Sequence, residues 1–358
     1  MAANTAGVVT RGIGGSTLAT AMLVRLNEVT NRTFVLPLVV FYPTSRCNSR
    51  CVSCDWWKHA GDDDLSIDQI DVVASALPAL GTRLVAFSGG EPLLRPEVFE
   101  AAQRFRARGL RLHLLTSGVL LERFADRVAE HFSRVVVSLD AASELEYREI
   151  RGITALGTVE NGVSRLRRLA PQVPIIARAT IHRLNFRRLP RLIEHAKAKG
   201  FDGISFVAAD VSSTAFGRER PADVHGLSLD RGEVEEFDAI VERTIAVYRD
   251  DFESGFVTDS PEKLRRLSQH YAALNGDGAF PPVSCNAPWM SVVIEANGSV
   301  RPCFFHESIG NVRDTPLASI VADNLRAFRR SLTVGDNPVC NRCVCSLKAG
   351  WRSAPWTQ

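Results

Sequence analysis

The eight cysteines carry the strongest chemical signal in this sequence, and they fall into two groups. Three lie within one span of eight residues, Cys47-Asn-Ser-Arg-Cys51-Val-Ser-Cys54. No other follows until Cys285, which is succeeded by Cys303, Cys340, Cys343 and Cys345. Disulfide frameworks belong to small exported domains, whereas this chain has 358 residues and shows no export signal, so metal ligation is the better reading. Two separate metal sites are implied. Three thiolates on one loop fit a corner of a [4Fe-4S] cubane, whose fourth iron then stays open to an outside ligand. The competing readings are a zinc ion short of its fourth ligand and three unrelated buried thiols.

Four further segments could do chemistry beside that loop. In Ser88-Gly89-Gly90-Glu91-Pro92 the glycines let backbone polar groups approach a ligand closely, although the same residues alone would make a turn. Thr116-Ser117-Gly118 and Ser138-Leu139-Asp140 place short polar side chains where a strand ends; the bland reading of Ser138 is a helix cap. In Ala177-Arg178-Ala179-Thr180 a guanidinium interrupts an apolar run, which is costly unless it is paired. Its partner is either a ligand carboxylate or a salt bridge to Glu91 or Asp140.

The elements that must position these segments alternate as βα units. Strands are expected at Leu36 to Tyr42, Arg83 to Phe87, Arg111 to Leu115, Arg134 to Leu139, Pro174 to Thr180 and Gly203 to Ala208. Helical spacing of apolar residues marks Ser66 to Ala79, where Ser66 and Gln69 read as a capping box, and Pro96 to Arg108, Thr158 to Leu169 and Leu189 to Lys199. Six such units can curl into an incomplete barrel whose working loops follow the strand C-terminal ends, which is where every candidate above falls. After Ala208, Asp210 to Gly226 reads as a long loop, followed by helices around Arg231 to Arg249 and Pro261 to Leu274. The cysteine-rich tail offers a hairpin, Met290 to Ile294 and Ser299 to Pro302 around Asn297-Gly298, and a helix near Pro316 to Leu332.

A CxxxCxxC loop after the first strand, followed by Gly-Gly-Glu-Pro after the second, resembles the radical S-adenosylmethionine (SAM) superfamily. The resemblance runs from about Leu36 to Cys343. It implies that the amino and carboxylate groups of SAM chelate the open iron, and that one-electron cleavage yields a 5′-deoxyadenosyl radical able to abstract hydrogen from an unactivated C–H bond. It further implies a SAM-binding role for Gly89, Gly90, Glu91, Ser117, Ser138, Asp140 and Arg178, with the glycine backbone and Glu91 receiving the methionyl ammonium. Two departures stand out. The family has an aromatic residue before the third cysteine where this chain has Ser53, with Trp56 and Trp57 following, and it often has asparagine where this chain has Ser117.

The later cysteines resemble the Twitch domain, the shortened form of the SPASM domain: Cys285 and Cys303 flank the hairpin, and Cys340-Asn-Arg-Cys343 forms a knuckle. One auxiliary [4Fe-4S] cluster is implied, with Cys345 as an alternative ligand and His306 as a candidate hydrogen-bond partner for a cluster sulfur. A zinc ribbon is the rival, since four thiolates also suit tetrahedral zinc. Trp351 and Trp356 either cover this site or cap the fold.

The resulting expectation is an α/β chain: a partial (β/α)6 TIM-like barrel followed by a small α+β cysteine-rich metal-cluster domain. Its parts are a lead-in segment at 1–35, the barrel at 36–225, a helical bridge at 226–279 and the cluster domain at 280–358. A formal charge of +3 supports neither a nucleic-acid partner nor an anionic membrane surface, and no apolar run is long enough to span a bilayer, so a cytoplasmic location is expected. The implied partners are a one-electron donor such as flavodoxin or ferredoxin and a substrate. A small natural-product or sugar-like molecule is favoured, because about 35 residues before the first strand are too few for a leader-binding fold of the usual kind. A peptide-modifying maturase is the alternative, and a non-catalytic metal-binding protein is the reading from another class.

Overall fold

The computed structural model describes residues 14–219 and 226–348; Trp351 and Trp356 lie outside them. The chain opens with α1 (Gly14–Thr30) and enters the sheet at β1 (Leu38–Phe41). There follow α2 (Ile67–Ala76), β2 (Leu84–Phe87), α3 (Val98–Arg106), β3 (Arg111–Thr116), α4 (Leu121–His131) and β4 (Arg134–Ser138). After β4 come α5 (Glu144–Arg151), α6 (Leu156–Leu169), β5 (Ile175–Ile181), α7 (Leu189–Ala198) and β6 (Gly203–Ala208). All six expected barrel strands are present, and β1 to β6 pair in parallel in sequence order, as a crossover helix after each strand requires. The capping box forms as read: Ser66 accepts from the Gln69 amide and the Gln69 side chain accepts from the Ser66 amide.

The outer face of the sheet is held by an aromatic cluster. Phe87 packs against Phe41, Phe105 and Phe132 at ring-centroid distances of 5.6, 5.6 and 5.4 Å, so α3 is fastened over β1 and β2 by edge-on ring contacts. Along β5, residues alternate between fully and partly buried, which sets Ile176, Arg178 and Thr180 on the side away from that core.

Beyond β6 come α8 (Arg231–Val247), α9 (Arg249–Ser254) and α10 (Pro261–Leu274). They close on the barrel. Phe256 and Thr258 exchange backbone hydrogen bonds with Ile204 along the edge of β6, and the Tyr271 hydroxyl donates to the Ile181 carbonyl at 2.6 Å. The short α11 (Ala287–Met290) leads into β7 (Ser291–Ile294), β8 (Ser299–Arg301) and β9 (Gly310–Asn311). The C-terminal hairpin is joined to the barrel sheet, because β7 lies parallel to β1 with Leu38 opposite Ser291 and Phe41 opposite Ile294. One sheet in the order β6-β5-β4-β3-β2-β1-β7-β8-β9 results, and its two ends do not pair with each other. The expected helix near Pro316 to Leu332 is Leu317–Ser331 interrupted by a π-helical stretch at Ile320–Asn324. Among the described residues no helix is long and apolar enough to cross a membrane.

Candidate functional site

The first cysteine loop leaves β1 and is held along its whole length. Arg95 is buried and donates to the Pro43 carbonyl at 2.6 Å and the Leu65 carbonyl at 2.8 Å, while Asp64 accepts from the Thr44 hydroxyl and from the Ser45 amide. The Gly90 amide donates to Thr44 O and the Glu91 amide to Arg46 O at 2.8 Å. A Cβ on Gly90 would stand 2.1 Å from the Arg46 carbonyl oxygen, and Gly89 has φ +104°, a conformation other residues rarely adopt. These glycines therefore let the cysteine loop itself pass close over the end of β2.

Cys47, Cys51 and Cys54 lie near one another: the Cys47 thiol feels Cys51, and that of Cys54 feels both Cys51 and Cys47, as destabilising like charges once ionised. Burial pushes the Cys47 thiol up to about 11 and that of Cys54 up to about 12, and raises Cys51 as well. Thiols so placed stay protonated until a cation displaces the proton. Trp56 is buried beneath the loop against Tyr42 at 5.7 Å, whereas Trp57 faces outward beside Lys58.

The strand ends gather where the sequence placed them. The Glu91 carboxylate is fully buried and accepts from the Thr116 hydroxyl (2.8 Å), the Ser117 amide (2.6 Å) and the Leu93 amide (3.0 Å), so it brackets β2 to β3. The Ser117 hydroxyl reaches Asn48 on the cysteine loop at 3.2 Å. Asp140 accepts from the Thr180 amide at 2.7 Å and from Arg151 Nη1 at 2.9 Å. Ser138 stands opposite Arg178 in the β4–β5 register. The salt bridge considered between Arg178 and Glu91 or Asp140 does not form: both carboxylates are occupied by other donors, and Arg178 Nη2 instead approaches Cys345 Sγ at 3.7 Å.

Besides Arg95, two more buried arginines beside the cysteine loop were missed by the sequence reading. Arg151 ends α5, pairs with Asp140, and lies close enough to Cys51 to stabilise its thiolate; its carbonyl accepts from the Arg50 amide at 2.8 Å. The Ser143 cap and the Gly152 stop could have revealed this helix. Arg218, in the loop after β6, pairs with Asp210 and donates to the Ser53 carbonyl. No periodicity or cap announces it.

At the other end of the chain, Cys285, Cys303, Cys340 and Cys343 line one pocket together with His306 and apolar side chains such as Phe305 and Leu332. His306 Nε2 is 3.3 Å from Cys340 Sγ, the sulfur contact expected of it. Burial pushes Cys303 up to about 11 and Cys340 up to about 12, the same setting as in the first group. Cys345 is not among the pocket-lining residues.

Comparison with known proteins agrees with this geometry. The family model of the radical SAM superfamily matches residues 41–208, and that of the SPASM iron-sulfur cluster-binding domain matches 285–344. Fe-coproporphyrin III synthase of Methanosarcina barkeri is 26% identical over 339 residues, covering 86% of this chain and 80% of that protein. PqqA peptide cyclase of Rhodopseudomonas palustris is 28% identical over 284 residues, covering 77% of this chain and 70% of that protein. The structure of SuiB from Streptococcus suis bound to S-adenosylmethionine superposes with a TM-score of 0.62 at 14% identity, covering 94% of this chain and 80% of that one, a likeness of fold.

Proposed function

This chain belongs to the radical SAM superfamily and carries a SPASM iron-sulfur domain, and from that premise we propose that it is a peptide-modifying enzyme that oxidises or crosslinks its substrate. The observation that carries the substrate class is the similarity to a peptide cyclase over 77% of the chain. That departs from the small-molecule preference of the sequence reading. Recognition of a peptide leader can be supplied by a separate protein.

When bound, the first cluster and SAM supply a strongly reducing one-electron cleavage that delivers an adenosyl radical to the substrate. Cys47, Cys51 and Cys54 would hold that cluster, and Cys285, Cys303, Cys340 and Cys343 the auxiliary one; the latter domain's iron-sulfur character sets zinc aside. Gly89 and Gly90 bring backbone groups to the SAM ammonium, and Glu91 holds them in place through Thr116 and Ser117. Ser138 and Ser117 offer hydroxyls to the nucleotide from adjoining strand ends. Asp140 acts through Arg151, keeping the guanidinium beside Cys51. Arg178, on the inner side of β5, stands between the SAM-binding strand ends and the C-terminal cysteines. An external one-electron donor of the flavodoxin or ferredoxin class completes the reaction.

A second reading is retained for one reason: the match to Fe-coproporphyrin III synthase spans still more of the chain. The test is anaerobic co-expression with short peptides encoded beside this chain's gene, followed by mass spectrometry. A peptide lighter by two hydrogens, in a SAM-dependent manner, is the expected outcome. Unchanged peptides, together with 5′-deoxyadenosine release driven by a tetrapyrrole or another small metabolite, would overturn the peptide assignment in favour of the second reading.

A further inference from the structure

The segment after β6 reads in sequence only as a long loop, yet it is clasped onto the cysteine loop. The Asp55 amide donates to Phe216 O at 2.9 Å, the Cys54 thiol points at the same carbonyl at 3.5 Å, and His59 Nε2 is 2.9 Å from Gly217 O. Phe216 adopts φ +63°, in the left-handed region that non-glycine residues enter at a cost. Arg218 stands at the centre of this contact. Its side chain is almost wholly buried, donates to Ser53 O, and pairs at 3.0 Å with the equally buried Asp210, whose carboxylate also accepts from Ser212 and Ser213. On its far side the same loop touches the auxiliary domain, with the Phe216 ring 6.0 Å from that of Phe305, two residues past Cys303.

A buried ion pair is weak evidence for stability, since the desolvation of two charges offsets their attraction, so its location invites a functional account. We propose that Arg218, oriented by Asp210, is a positioning residue for the SAM-binding cluster: it fixes the Ser53–Cys54 turn and sets the reduction potential of that cluster through its buried charge. The inference rests on the radical SAM reading. The two charges act with opposite sign on the same site, because hydrogen bonding and nearby charge shift an iron-sulfur potential. Removing the cation leaves the Asp210 anion beside the cluster and makes reduction harder. Neutralising Asp210 leaves the cation alone and makes reduction easier.

The test is an anaerobic redox titration, followed by electron paramagnetic resonance, of the reconstituted full chain as wild type, Arg218→Met, Arg218→Lys and Asp210→Asn. Arg218→Met should lower the reduced-to-oxidised ratio of the SAM-responsive cluster at least tenfold at fixed potential, about 59 mV for a one-electron couple. Arg218→Lys should recover most of that loss, Asp210→Asn should move the ratio the other way, and the auxiliary cluster should serve as an unmoved internal reference. Equal potentials in all four proteins, or displacement of both variants in one direction with matching iron loss, overturns the proposal and leaves the loop a plain structural support. Should Arg218→Met not fold, the sign of the Asp210→Asn shift decides alone. A wild type with no cluster that responds to SAM would instead sink the radical SAM reading itself.

Discussion

The guanidinium of Arg178 lies 3.7 Å from the sulfur of Cys345, 167 residues further along the chain. This contact draws the fifth C-terminal thiol toward the inner side of β5, while the other four line one pocket. Cys345 also stands near enough to Cys285, Cys303 and Cys343 to disfavour their ionisation, and we propose that it neighbours the auxiliary site without ligating it.

Iron content follows from that division. Wild-type protein reconstituted anaerobically should carry about eight irons per chain. Cys345→Ser should keep all of them, and Cys343→Ala should retain about four. Colorimetric iron and sulfide analysis checks both; loss of half the iron in Cys345→Ser would make that residue the ligand.

Cys51→Ala should abolish SAM cleavage, because two thiolates hold the catalytic cluster poorly and the loop loses the sulfur beside Arg151. The measurement is 5′-deoxyadenosine released with SAM and a strong reductant. Yields equal to wild type would refute the assignment of the first site.

Breaking the Asp140–Arg151 pair should cost stability. The two side chains are buried and joined at 2.9 Å, so Arg151→Met leaves an unpaired carboxylate inside the protein. The expected loss is about 3–5 kcal/mol, read from chemical unfolding of the metal-free chain. A loss below about 1 kcal/mol would mean that water reaches Asp140 freely.

Gly90→Ala should displace the cysteine loop, since the added methyl would meet the Arg46 carbonyl oxygen at 2.1 Å and backbone cannot rotate away as a side chain can. A cost on the order of 1–3 kcal/mol is expected, together with weaker SAM binding. Calorimetric titration of SAM into the loaded enzyme checks the second effect.

Acid should destabilise the fold through two neutral imidazoles. Burial lowers His182 and His270 from an ordinary 6.5 to about 4. The unfolded chain takes up these protons first, so stability is full above about pH 6.5 and falls as the pH drops toward about 4, by about 3 kcal/mol for each fully buried imidazole. His182→Asn should flatten part of that slope in unfolding curves collected between those limits.

Much of the site was legible before any tertiary contact was known. Cysteine spacing of three and two intervening residues is a local property, and so are the glycines and short polar side chains that end each strand, because the parallel βα repeat puts all strand ends at one rim. The capping box at Ser66 and Gln69 and the hairpin at Asn297-Gly298 are likewise decided by residues a few positions apart.

What only the folded chain decided are the partnerships between distant residues. Nothing in β7 announces that it will lie beside β1, since a buried parallel strand shows only an apolar run and its neighbour is set by the path of the whole chain. Nor can sequence tell which of its 38 arginines will reach a given carboxylate. Asp140 could have served Arg178 as well as Arg151, and it was the turn of α5 against the cysteine loop that chose. For the same reason Asp210 to Gly226 read only as a long loop: its grip on Ser53 depends on a backbone path that brings residues 165 positions apart into contact.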